Sequence, residues 1–136
     1  MKNSSKLEVS FAIAAVVMTM LVCLHFSPTF AGVDEPLRTQ LEADSRDTLL
    51  IFLVVLSTFV LGTYFHVAWQ SKFGLAAEII AGGLLSIFFA IVFFSGAAFY
   101  YYGLGGLLLA LPMIFGVLTV IFAIRNHILN FRSELN

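Results

Sequence analysis

Residues 49–92 read LLIFLVVLSTFVLGTYFHVAWQSKFGLAAEIIAGGLLSIFFAIV. Two apolar stretches flank the short polar segment Gln70-Ser71-Lys72-Phe73-Gly74. The pattern predicts two membrane-spanning helices joined by a tight turn. Each helix carries a row of polar or small residues at i, i+4 spacing, which places them on one face. The first row is Thr58, Gly62, His66 and Gln70, and the second is Glu78, Gly82, Ser86 and Ala90. A hairpin brings His66 and Glu78 to similar depth, each about 5 Å inside the end of its helix at 1.5 Å per residue.

The rest of the chain has the same character. It is 60% hydrophobic and 11% charged over 136 residues, whereas a soluble domain is about half apolar and about a quarter charged. A chain this apolar cannot cover itself with charge and belongs in a lipid bilayer. A net charge of −1 excludes general nucleic-acid binding. The single cysteine, Cys23, has no partner for an intrachain disulfide or a cysteine-based metal site, and reads as a small apolar side chain.

Four apolar runs occur: Val9–Phe26, Leu49–Trp69, Ala76–Phe99 and Leu104–Ile124. Each is close to the ~20 residues that span ~30 Å of hydrocarbon. Only helices and closed barrels satisfy their backbone in lipid, and barrel strands would alternate polar and apolar residues. The expected fold is therefore an all-α integral membrane protein. It is a single domain of four transmembrane helices, with spans at about 9–27, 48–69, 76–100 and 104–125. The third span is expected to tilt or bend near Ser95-Gly96.

The first run, preceded by Lys2 and Lys6 and followed by Ser27-Pro28-Thr29-Phe30-Ala31, has features of a secretory signal with a cleavage site after Ala31. Its apolar core exceeds the usual length of such signals, so a retained anchor helix is expected. Lys2, Lys6, Lys72, Arg125 and Arg132 fall on one side of the four spans, and Arg38 and Arg46 on the other. The positive-inside rule then places both termini and the central turn in the cytoplasm. Residues 31–48 lie outside. Pro36, with acidic residues just ahead of it and Leu37 and Leu41 on one face, predicts a short helix on the outer membrane surface. Asp47-Thr48 would cap the second span. The acids Asp34, Glu35, Glu42, Asp44 and Asp47 are read as a solvated loop rather than a cation or docking patch. Tyr100, Tyr101 and Tyr102 belong to the interfacial aromatic belt; a quinone or pigment site is the sharper alternative there.

Burying leucine does not bring helices together in lipid, whereas close backbone contact and interhelical hydrogen bonds do. Gly82, Ser86 and Ala90 on the third span, and Gly105, Pro112, Gly116, Thr119 and Ala123 on the fourth, predict a small-residue seam with Gly82 and Gly116 in close contact. Pro112 deprives the Leu108 carbonyl of its helical donor and predicts a kink. Phe88, Phe89, Phe93 and Phe94 are too bulky for such a seam and are expected to face lipid or a neighbouring subunit.

Ionisable groups inside spans are costly and carry a functional hypothesis by default. His66, Gln70, Lys72, Glu78, Arg125 and His127 collect at the cytoplasmic end. Three readings of this group follow. His66 and Glu78 can form a proton- or ion-coupling pair, since histidine titrates near neutral pH. His66 and His127 can ligate a b-type haem, although His127 is expected at or beyond its helix end. In the structural reading, Glu78 pairs with Lys72 or Arg125 and the rest anchor the protein at the headgroups. His25, at the outer end of the first span, is too distant to join, and Glu8 is a carboxylate favouring a helix N-terminus.

The residues contain no lipase-type Gly-x-Ser-x-Gly, zincin, Walker or Cys-x-x-Cys motif, and the Gly103–Gly106 stretch is no phosphate loop. The expectation is a small non-catalytic integral membrane subunit of a larger membrane complex, respiratory or transport-related, in a bacterial inner membrane. Its partners are lipid and other membrane subunits. One alternative is a homo-oligomeric transporter or channel coupled through Glu78 and His66. A second is a haem- or quinone-binding electron-transfer subunit.

Overall fold

The computed structural model describes residues 3–25, 32–96 and 103–134. They form helices α1 (Asn3–His25), α2 (Leu37–Trp69), α3 (Lys72–Phe94) and α4 (Ala110–Glu134), with a 3-10 helix (Gly103–Leu109) leading into α4. No strand occurs among the described residues. Among the described residues, four segments are long and apolar enough to cross a membrane: Ser5–His25, Leu37–Trp69, Lys72–Phe94 and Gly103–Arg132. The Ser27–Ala31 segment and Tyr100–Tyr102 lie outside the described residues.

Around the bundle the order is α1, α4, α3, α2. Extensive packing joins α2 to α3, α1 to α4 and α3 to α4, while α1 and α2 touch only lightly. The start of α1, the α2–α3 turn and the C-terminal part of α4 share one end of the bundle, as side-chain contacts among Glu8, His66, Glu78 and Asn126 require.

The turn is shorter than the sequence pattern suggests. Gln70, at φ 55°, ends α2 in the left-handed conformation; its backbone N–H donates to the His66 carbonyl at 2.9 Å, and that of Ser71 donates to the Phe65 carbonyl at 3.4 Å. Ser71 caps α3 with its hydroxyl oxygen, which accepts from the Gly74 N–H at 3.2 Å. Lys72, Phe73 and Gly74 are already helical.

Three further expectations for the helix ends are corrected. The separate surface helix between the first two spans is instead the N-terminal part of α2, which runs unbroken from Leu37 to Trp69. No glycine or proline lies between Pro36 and Gly62 to interrupt it. Thr48 is accordingly no cap; its hydroxyl donates back to the Asp44 carbonyl at 2.8 Å in mid-helix. The third span does not bend at Ser95-Gly96 but stops there, with Gly96 at φ +74°. On α4, Pro112 falls in the first α-helical turn just after the 3-10 segment, so the missing proline donor coincides with a change of helix type.

The interior divides into three layers along the bundle axis. Nearest the turn is a polar layer of Glu8, Thr63, His66, Glu78 and Asn126, all buried. Next comes a layer of Ala12, Ala15, Phe59 and Ala81. Farthest away are Val22, Leu56, Leu85, Phe89 and Leu109. Phe89 therefore corrects the expectation that the α3 phenylalanines all face outward: it is 2% exposed, and Phe93 packs against the same cluster. Phe89 continues the inner row of Gly82, Leu85 and Ser86 by i+3 and i+4 steps. Phe88 is partly exposed but meets Phe52 edge-on at 4.7 Å, and Phe94 is exposed.

Candidate functional site

Glycine brings α2 and α3 together where the site lies. A Cβ on Gly62 would sit 2.6 Å from the backbone nitrogen of Glu78, and one on Gly74 would sit 2.5 Å from that of His66. The two backbones therefore touch at a point where any side chain would hold them apart. His66 is one turn along α2 from Gly62, and Glu78 one turn along α3 from Gly74, so the crossing presents their side chains to each other.

The imidazole of His66 is the hub. Its Nδ1 lies 2.7 Å from Oε1 of Glu8 and 3.2 Å from Oε2 of Glu78. Nδ1 carries at most one hydrogen, so it can donate to only one of the two, and the Glu8 oxygen is the nearer. Glu78 Oε2 is thereby left buried with no hydrogen-bond donor. The second oxygen of each carboxylate is held separately. The Thr63 hydroxyl lies 3.0 Å from Oε1 of Glu78 and 3.0 Å from the Phe59 carbonyl, between which its single hydrogen is shared. The Asn126 side-chain amide donates to Oε2 of Glu8, while its own Oδ1 has no partner. Every helix contributes: Glu8 from α1, Thr63 and His66 from α2, Glu78 from α3, and Asn126 from α4.

The charge balance of this layer is uneven. Two carboxylates face one imidazole, and Glu8 and Glu78 are both 0% exposed. Even with an imidazolium, one negative charge is left over. An unbalanced charge in a low-dielectric interior is expensive, so a further proton or cation is needed for neutrality.

His66 and Glu78, singled out from the sequence, are thus in contact. Glu78 does not pair with Lys72 or Arg125: both basic residues are exposed, and the guanidinium of Arg125 stands 5.8 Å from the Phe122 ring centroid. His127 lies well inside α4 rather than at its end, because that helix continues to Glu134. Its ring centroid is 5.9 Å from that of His66, and with Nδ1 of His66 turned to Glu8, only Nε2 of that ring is left for iron. Gln70 ends α2 and His25 ends α1 at the opposite end of the bundle.

The small-residue seam lies beside the site, on the α3–α4 side. A Cβ on Gly116 would meet Ser86 Oγ at 2.5 Å and the Gly82 carbonyl at 3.5 Å. Ser86 Oγ lies 2.8 Å from the Gly82 carbonyl and 3.4 Å from that of Met113. Ala90 and Gly105 are half-buried.

Sequence reasoning missed Glu8, Thr63 and Asn126 as site residues. Glu8 suits the helix dipole at the start of α1, but a carboxylate directly ahead of an apolar run was also a signal for a buried role. Asn126 fell just past the expected end of the fourth span. An uncharged amide inside a helix that continues apolar through Ile128 and Leu129 was the available signal.

Comparison of the chain with protein-family models, with curated proteins and with solved structures finds no match.

Proposed function

We propose that this protein handles a cation inside the bilayer, as a small transporter or channel working as a homo-oligomer, with Glu8, His66 and Glu78 as the groups that hold the ion. The observation that carries the reading is the convergence of two fully buried carboxylates on one imidazole nitrogen. Such a layer needs one further proton or cation to be neutral. A structural polar core would balance its charges, because a half-satisfied buried network is worse than an apolar one. Ionisable groups within membrane spans are costly and carry a functional-site hypothesis by default.

Lys6, Lys72, Arg125 and Arg132 lie at the site's end of the bundle, and Arg38 and Arg46 at the other. The positive-inside rule then orients the site toward the cytoplasm, with both termini inside, in a bacterial inner membrane. The experiment is flux into proteoliposomes containing indicators for Na+, K+, Mn2+ or Zn2+. Wild-type protein is expected to admit at least one of these ions, and Glu78→Gln, which keeps the side chain's size and its Thr63 contact, to abolish that flux. Equal flux in the two proteins rejects the role.

A second reading, a subunit of a larger membrane complex, is favoured by one observation. α2 is the least covered of the four spans, and beside it a groove of about 630 Å³ opens between α1 and α2, lined by residues including Val9, Ile13, Val60, Thr63 and Tyr64. A partner helix seated there would co-purify in mild detergent; monodisperse chain without a partner counts against this reading.

A further inference from the structure

We infer that Glu8, His66 and Glu78 form a binding site for a divalent first-row transition-metal cation, which identifies the class of ion in the cation-handling reading and rests on that reading. Three potential donor atoms, one from each residue, lie within 4.8 Å of one another. Nδ1 of His66 is 2.7 Å from Oε1 of Glu8 and 3.2 Å from Oε2 of Glu78. Donors bound at about 2.1 Å to a common tetrahedral ion stand roughly 3.4 Å apart. Outward shifts of a few tenths of an ångström on each side therefore suffice to admit one.

The surroundings are those of a metal site as well. Each carboxylate presents one oxygen to the cluster while its other oxygen is held from behind, Glu78 Oε1 by the Thr63 hydroxyl and Glu8 Oε2 by the Asn126 amide. Outer partners of this kind orient ligating carboxylates. Glu78 Oε2 is a fully buried acceptor that faces the imidazole nitrogen and has no donor. This oxygen is the independent sign of a missing positive partner, since an acidic cluster alone would not indicate one.

The donor set selects the class. It is one nitrogen and two oxygens, with no thiolate, because Cys23 lies at the far end of α1 beside Val22. Calcium and magnesium favour all-oxygen shells of six or more ligands, whereas imidazole with carboxylates suits zinc, manganese and ferrous iron. The charge also closes. A dication balances two carboxylates, and the ring binds through the Nδ1 lone pair as neutral imidazole with its one hydrogen on Nε2. The Nδ1–Glu8 hydrogen bond is replaced by two metal–ligand bonds at the same atoms.

The test is equilibrium binding of Zn2+ and of Mn2+ to the full chain in detergent, with bound metal measured per chain and thermal unfolding followed in parallel. One ion per chain is expected, with a higher unfolding temperature. Glu78→Gln and Glu8→Gln, each preserving side-chain size, are expected to weaken binding at least tenfold while remaining folded. For Mn2+, the electron paramagnetic resonance spectrum is expected to report one coordinated nitrogen. Absence of saturable binding to folded wild-type protein overturns the inference. So does binding that both glutamine variants leave unchanged, because the ion would then sit elsewhere, as on the acidic N-terminal part of α2. Binding without flux retains the site and removes the transport reading; flux of Na+ or K+ without dication binding does the reverse.

Discussion

The two ends of this bundle are built on different physics. At the turn end, four helices each supply a polar side chain to one connected layer, Glu8, His66, Glu78 and Asn126, with Thr63 behind. At the far end, Val22, Leu56, Leu85, Phe89 and Leu109 pack as an apolar cluster. In water the apolar end would carry the stability. In lipid, leaving Phe89 among acyl chains costs little, and association is driven by close packing and interhelical hydrogen bonds. The turn end has both, through the Gly62–Gly74 crossing and the His66 hub. The far-end cluster itself consists of apolar side chains in van der Waals contact. Specific assembly of these helices is therefore concentrated at the same end as the candidate site.

The largest expected effect comes from removing the hub. His66→Ala leaves two buried carboxylates without a counter-charge and should cost about 3–5 kcal/mol, read from thermal unfolding in detergent. A loss no greater than that of a far-end variant would break the comparison. The glycine crossing ranks next. Gly62→Ala puts a methyl 2.6 Å from the Glu78 backbone nitrogen, where neither helix can yield by rotating a side chain, so a loss of up to about 3 kcal/mol is expected. Gly83→Ala is its control: a Cβ there meets nothing within 4 Å, and the gain in helix propensity should leave stability unchanged or raise it by up to about 1 kcal/mol. Phe89→Ala should show the smallest of the three losses. Its cost is the cavity share alone, about 2 kcal/mol, because the transfer contribution that dominates in soluble cores is small when the alternative is lipid. Phe94→Ala, at 76% exposure, should show no measurable change. If Phe89→Ala proves more damaging than His66→Ala, the apolar end is the anchor after all.

The His66–Glu78 contact was legible because helical rise and a short turn settle depth: residues about one turn from either end of a tight hairpin must lie at the same level. The α3–α4 approach at Gly82, Ser86 and Gly116 could be anticipated for a related reason, since small residues at i+4 spacing mark where backbones can draw near. The inward turn of Phe89 was not legible. In a span that is apolar all round, hydrophobicity does not say which side faces lipid, so the usual amphipathic signal is lost. The length of α2 was obscured by its polar first turns, which the sequence pattern separates from the span although no residue there breaks the helix.

The amino-acid sequence by itself determined the number of helices, the central hairpin and the common depth of His66 and Glu78, because these follow from apolar length, turn residues and a fixed rise per residue. Only the tertiary structure decided that α1 and α4 close on the same point. Glu8 and His66 are separated by 58 positions and Glu8 and Asn126 by 118, and nothing local to any of them records the others. Their meeting depends on the order of helices around the bundle, which is set by where backbones can approach and which buried polar groups must find partners. That order turned a predicted pair into a cluster of three ionisable residues.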